Sequence, residues 1–239
     1  MTDRQAAIRL LSSMATKTLG AELVAQFAGS TALPVQVESV GGVDAVRRFE
    51  AGEPFDGIVL AAAAIDALIL GGHALSGSRV DLVTSHVAAA VKTGAPEPAI
   101  HSEEALRQAV LAARTVGYST GPSGVQLMKL FERWGIRDQV ADRLVQAPPG
   151  VPVGKLIAEG DVELGFQQLG ELMGLPGITL LPPLPASVQI VTTFSAAISR
   201  TSERPDAVRE LLALWASPAA EATKRRCGMQ PVESNAPGQ

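Results

Sequence analysis

Gly57-Ile58-Val59-Leu60-Ala61-Ala62-Ala63-Ala64-Ile65-Asp66-Ala67-Leu68-Ile69-Leu70-Gly71-Gly72 is the longest apolar run of the chain. Asp66 breaks it well short of the roughly 20 apolar residues a membrane-spanning helix needs. Gly57–Leu60 reads as a buried strand. The alanine-rich remainder reads as a helix to about Leu70 that stops at Gly71-Gly72. Working upstream, Val43–Glu50 forms a helix opened by Gly41-Gly42, and Pro34–Val37 a strand. Before these, Leu19, Leu23, Val24 and Phe27 recur at helical spacing, and Ile8–Leu11 is a short apolar strand. The order β-α-β-α-β-α predicts an α/β protein with a mostly parallel sheet and helices on both faces.

Downstream, Leu82–Lys92 is a long apolar stretch without a helical stripe. The pattern then restarts. A helix covers Ser102–Ala113, with Ser102 as N-cap and Glu103-Glu104 in its first turn. Val116–Ser119 is a strand, Val125–Trp134 a helix, Arg143–Val145 a strand, Val153–Ala158 a helix and Leu164–Phe166 a strand. Gln189–Ile198 is a second long β-rich segment. Two helices close the chain, Pro205–Trp215 and Pro218–Arg226, the second capped by Ser217 and stopped by Gly228.

At roughly 150 residues per domain, a chain of 239 residues falls between one domain and two. The two long β segments resolve this as two lobes sharing one chain through two crossover strands. Lobe 1 is residues 1–84 plus 195–239, and lobe 2 is 85–194. An interlobe ligand cleft is expected where strand C-termini and helix N-termini meet. The last residues, Glu233–Gln239, read as a frayed tail.

Composition excludes several function classes. The net charge is −4 and aromatic residues are 4% of the chain, so neither a basic face nor a base-stacking platform for nucleic acid is expected. The single cysteine, Cys227, rules out an internal disulfide and a cysteine-based zinc site. His73, His86 and His101 are widely spaced and form no ligand pair, so no metal and no cofactor is expected. No Ser-His-Asp arrangement is evident, because Gly121-Pro122-Ser123-Gly124 lacks the spacing of a nucleophile elbow. Around Met1–Gln5 the sequence shows no secretory leader, which as written implies a cytoplasmic chain, or a periplasmic one whose leader has been removed.

Four stretches carry candidate chemistry. Ser12-Ser13-Met14-Ala15-Thr16-Lys17 lies where the first strand meets the first helix; unpaired N–H groups there, with Lys17, would suit an anion. Ordinary capping is the alternative. Ser39-Val40-Gly41-Gly42 combines a βα turn with glycines that permit positive φ and close backbone approach, or is simply a tight turn. Tyr118-Ser119-Thr120-Gly121-Pro122-Ser123-Gly124 puts hydroxyls and glycines at a helix start. It is the strongest anion signal, and it lacks the lysine of a nucleotide P-loop. Gly165-Phe166-Gln167-Gln168-Leu169-Gly170-Glu171 places two amides and a carboxylate at a strand end, where a polar surface loop would look the same.

These strings, with Leu10–Ala15, Arg48–Asp56, Val91–Pro98, Ser123-Gly124, Ala158-Glu159-Gly160 ahead of Glu163-Leu164-Gly165, Pro183-Leu184-Pro185 and Gly228-Met229-Gln230-Pro231, span nearly the whole chain. In order and spacing the chain resembles the type II periplasmic-binding-protein superfamily, in its molybdate-binding-protein-like branch. The resemblance implies the two-lobed fold, hinge closure and a small anionic ligand. Molybdate binders of this type hold the oxyanion partly with serine hydroxyls on the first two βα turns and a tyrosine near the end of a strand. The matching positions here are Ala15, Gly41 and Gln168. Each lost donor should cost molybdate about 1–3 kcal/mol, so an organic carboxylate is the better expectation.

Ser13, Met14, Ala15, Thr16, Lys17, Gly41, Gly42, Ser119, Ser123, Gly124, Gln167 and Gln168 are the expected ligand-binding residues. The same branch also resembles aconitate isomerase. The alternative function is therefore a cofactor-free isomerase of a small unsaturated di- or tricarboxylic acid, with Lys17 and Glu171 as the candidate catalytic pair. A small anion is the expected partner, with no nucleic acid and no membrane insertion. An ABC transporter permease would be a partner only if the chain is exported.

Overall fold

A computed structural model describes residues 7–232. The readings made on Met1–Gln5 and Glu233–Gln239 lie outside the described residues. The chain divides into two compact units, Met1–Thr84 with Thr193–Gln239, and Ser85–Thr192.

In the first unit β1 (Ile8–Ser13) leads through a 3-10 turn into α1 (Lys17–Gln26). Then follow β2 (Val35–Val40), α2 (Gly42–Glu50), β3 (Gly57–Ala61) and α3 (Ala62–Leu70). Strand β1 lies between β2 and β3, parallel to both. Alternation along the strands explains the layering, because successive side chains leave opposite faces of a sheet. Ile8, Leu10 and Val59 join Leu19 and Leu23 of α1 in one buried cluster. Leu11, Ile58 and Leu60 join Phe49 of α2 and Ile65 and Leu68 of α3 in another. The run that decides the fold is thus a strand buried on both faces, followed by a helix that Gly72, at φ 74°, ends.

Strand β4 (Val80–Lys92) carries the chain into the second unit. There α4 (Glu103–Ala112) starts at Ser102, whose hydroxyl accepts the Ala105 N–H at 3.1 Å as capping chemistry requires. Next come β5 (Val116–Tyr118), α5 (Pro122–Arg133), the single turn α6 (Arg137–Val140), β6 (Leu144–Gln146), α7 (Val153–Glu159), β7 (Leu164–Gln168), the short α8 (Leu169–Leu172) and β8 (Ile178–Leu180). Strand β5 is parallel to β6 and β7, while β4 runs antiparallel to β7. One face of this sheet packs Val87, Ala89, Leu164 and Phe166 against Leu106 and Val110 of α4 and Leu127 and Phe131 of α5. The other packs Ala88 and Ala90 against Val153 and Ile157 of α7 and Leu172 of α8.

Strand β9 (Val191–Ile198) returns the chain to the first unit, where it pairs antiparallel with β3. Helices α9 (Pro205–Ala216) and α10 (Glu221–Arg226) and strand β10 (Met229–Pro231) end the described chain. Trp215, Leu211 and Met229 complete the core around α1.

Several local readings need correction. The closing helix does not run from Pro218 to Arg226: Pro218–Ala220 is a 3-10 turn before α10. Ser217 gives no side-chain cap, because its hydroxyl donates back to the Leu214 carbonyl at 2.7 Å. The turn α6, the turn α8 and strands β8 and β10 were absent from the sequence reading. Each is three or four residues long, shorter than the window over which periodicity declares itself.

Candidate functional site

In the first unit, parallel pairing sets Ser13 beside Val40. The turn after β1 and the turn after β2 therefore lie side by side, at the C-terminal end of the sheet. This brings together Ser13, Met14, Ala15, Thr16 and Lys17 with Gly41 and Gly42. Strand β1 reaches Ser13, past the expected end at Leu11, so Ser12 and Ser13 are strand residues. The hydroxyls here are engaged with each other: Ser12 Oγ lies 2.6 Å from Thr16 Oγ1, and the Thr16 hydroxyl also donates to the Ser13 carbonyl at 3.3 Å. Both residues are fully buried. What this turn offers a ligand is main-chain N–H at the start of α1. Lys17 is exposed and makes no ion pair among the described residues.

Gly41 caps α2 at φ −57°, and neither it nor Gly42 has positive φ. The glycines are therefore not required by the backbone. A Cβ on either would meet nothing within 4 Å, so the space before this helix start is open.

In the second unit, Tyr118 pairs with Phe166, setting the Ser119–Gly124 turn beside the end of β7. Helix α5 starts at Pro122, not at Val125, with Gly121 as its cap. Proline suits the first helical position because its missing N–H would have had no partner there. The Ser119 and Ser123 hydroxyls stand 2.9 Å apart across the turn. Gly124 is fixed by contact: a Cβ there would lie 1.9 Å from the Ser119 carbonyl oxygen.

Gln167 and Gln168 belong to a buried strand rather than a polar surface loop, since β7 continues two residues beyond Phe166. They leave opposite faces. Gln168 donates from Nε2 to Thr192 Oγ1 at 2.9 Å, and its Oε1 is buried without a partner. The Ser85 hydroxyl is likewise buried and unpartnered. A buried polar atom lacking a hydrogen bond costs about 1–3 kcal/mol, so these atoms are where a polar ligand group or a water would be gained. In the sequence Ser85 and Thr192 look like ordinary strand residues. Their burial is the only signal, and it exists only after folding.

On the other face, Gln167 Oε1 accepts the Val153 N–H at the start of α7 at 2.8 Å, and its Nε2 donates to Glu171 Oε1 at 2.8 Å. Helix α7 sits this close because Gly117 and Gly165, paired on β5 and β7, leave room for it. A Cβ on Gly165 would fall 2.5 Å from Ile157 Cδ1, and one on Gly117 3.0 Å from Val153 Cγ1. Burial pushes the Glu171 carboxyl up to about 7, against the Gln167 N–H, which favours its ionised form. No group of three or more His, Cys, Asp or Glu side chains suited to a metal is present among the described residues.

The family follows from the match. Residues 8–230 fit the profile of the bacterial extracellular solute-binding proteins. The chain belongs to that family. Aconitate isomerase from a Pseudomonas species is 38% identical to this solute-binding protein over 187 residues, covering 78% of this chain and 71% of the relative. The Azotobacter vinelandii periplasmic molybdate-binding protein superposes with a TM-score of 0.78 at 19% identity, covering 93% and 98% of the two chains. The substrate-binding domain of a putative molybdenum ABC transporter from Clostridium difficile gives 0.74 at 14% identity, covering 95% and 99%. The type II periplasmic-binding-protein fold is thereby shown, with molybdate-binding proteins among its structural neighbours. No helix among the described residues is long and apolar enough to cross a membrane.

Proposed function

We propose that this family member binds a small organic anion carrying two or three carboxylates. Each unit offers donors of its own for such an anion: the first has main-chain N–H groups at its helix starts and the Lys17 charge, and the second has the N–H groups of the Ser119–Gly124 turn with the Ser119, Ser123 and Gln168 side chains. The observation carrying this reading is the Ser119–Gly124 turn. It is a glycine-dependent helix start with two hydroxyls on it, suited to an oxyanion. Ala15, Gly41 and Gln168 replace the hydroxyls the resemblance associates with molybdate, which favours a larger, carboxylate-bearing ligand. Thermal-shift titration against molybdate, tungstate, sulfate, citrate, cis-aconitate and trans-aconitate tests it. Stabilisation by the polycarboxylates is expected. Stabilisation by micromolar molybdate with no response to carboxylates would refute it.

A second reading is favoured by Glu171 and by the 38% identical isomerase. A carboxyl raised to about 7 by burial can both take and return a proton near neutral pH. In this reading the protein shifts a double bond in an unsaturated di- or tricarboxylic acid. Glu171 carries the proton, and main-chain N–H groups of the Ser119–Gly124 turn hold the dienolate charge; Lys17 of the first unit is the other candidate for the catalytic pair. Incubation with trans-aconitate in D₂O, followed by proton NMR, decides between the readings. Deuterium uptake with conversion supports the isomerase; neither leaves the binder alone. As a binder, the protein would work outside the cytoplasm with an ABC transporter permease, as its family implies.

A further inference from the structure

Gln167 is an unusually constrained side chain. It is 3% exposed, and both ends of its amide are used. The Val153 main-chain N–H can only donate, so it must meet the amide oxygen. That fixes the amide nitrogen toward Glu171 without any freedom to exchange the two ends.

We propose that Gln167 is a positioning residue: locked by the Val153 N–H, its amide occupies Oε1 of Glu171 and leaves Oε2 as the atom that takes and returns the substrate proton. The proposal rests on the isomerase reading of the site. A neutral carboxyl has one carbonyl oxygen and one hydroxyl oxygen. The N–H of Gln167 is best met by the carbonyl oxygen, so the proton resides on Oε2. Strand β7 brings no titratable group to Glu171. On helix α7, Lys155 and Glu159 are exposed and pair with each other at 3.8 Å. The amide is thus the polar group that sets the orientation of this carboxyl.

The step balances without a co-reactant. Ionised Glu171 takes a proton at Oε2 from the saturated carbon beside a substrate carboxylate. The C–H electron pair becomes the new double bond, while the old π pair moves to the far carbon and spreads over its carboxylate. Oε2–H then returns the proton to that carbon. One proton has been borrowed, and no electrons are gained or lost.

The test uses full-length protein labelled with ¹³C at glutamate side-chain carboxyls, with the Glu171 signal assigned by its loss in Glu171→Gln. Gln167→Met keeps the buried volume and removes the donor. The Glu171 midpoint should rise by about one pH unit. The rising limb of the pH–rate profile for aconitate isomerisation should move with it. The kcat should fall at least tenfold with KM changed less than threefold. Val153→Pro, at a helix position that tolerates proline, frees the amide and should move the midpoint the same way by less. An unmoved midpoint in folded Gln167→Met, or a moved midpoint with unchanged kcat, overturns the proposal. Wild-type protein that neither converts trans-aconitate nor takes up deuterium removes the isomerase reading and the proton step with it. The midpoint still reports separately whether Gln167 holds Glu171.

Discussion

The Gly124 α-carbon is packed so closely against Ser119 that a methyl group on it would stand 1.9 Å from the Ser119 carbonyl oxygen. The turn opening α5 therefore exists in this form only with glycine at that position. The neighbouring Ser119–Ser123 hydroxyl pair depends on it.

Gly124→Ala should consequently lower stability by about 1–3 kcal/mol or more, the usual range for overpacking a tight site. A thermal melt should show a fall of several degrees, together with loss of ligand-induced stabilisation. Gly41→Ala is the control. It meets no atom within 4 Å and has ordinary φ, so its melt should match wild type.

Glu171 makes stability depend on pH. Its folded pKa, about 7, lies above the ordinary carboxyl value of 4.5, so the native state holds its proton over a range where the unfolded state has released it. Stability from this group is fully present below pH 4.5 and is lost as pH rises through about 7, to the extent of about 3 kcal/mol. The ligand-free protein should melt lower at pH 8 than at pH 5, and Glu171→Gln should flatten that difference.

Lys17 is exposed and unpaired among the described residues. Lys17→Ala should leave the melting temperature unchanged while weakening a polycarboxylate by about ten- to a hundredfold, the worth of a charged hydrogen bond. Titration calorimetry with trans-aconitate measures this. Unchanged affinity would remove Lys17 from the site.

Trp215 is 1% exposed, and its Nε1–H has no partner. Trp215→Phe removes the unsatisfied donor along with part of the packing, so the two effects oppose each other. Trp215→Ala removes the same donor together with nearly all of the packing and should cost about 3–5 kcal/mol. Urea denaturation of both variants should show the phenylalanine form much nearer wild type.

The α/β alternation was legible because strand and helix leave different periodicities in long apolar segments. Gly57–Leu70 shows both within one run. The helix-start turns were legible from their residue types alone. Ser12, Ser13 and Thr16 read as hydroxyls reinforcing the N–H groups of a helix start, or as ordinary caps. They are buried and spend their hydrogen bonds on one another. Gln167 and Gln168 read as a strand end or a polar surface loop, since no local rule puts two adjacent amides inside a buried strand.

The amino-acid sequence alone carried the order of the longer strands and helices, the absence of a cysteine framework, and the glycine- and hydroxyl-rich turns that open helices. These follow from side-chain periodicity, composition and glycine placement, which are local properties. Only the tertiary structure decided that Gln167 bridges the start of α7 to Glu171, that Gln168 reaches Thr192, and that the Glu171 carboxyl is buried enough to titrate near neutrality. Each of these depends on residues brought together by strand pairing and helix packing. A side chain's hydrogen-bond partner and its distance from water are set by neighbours remote in sequence.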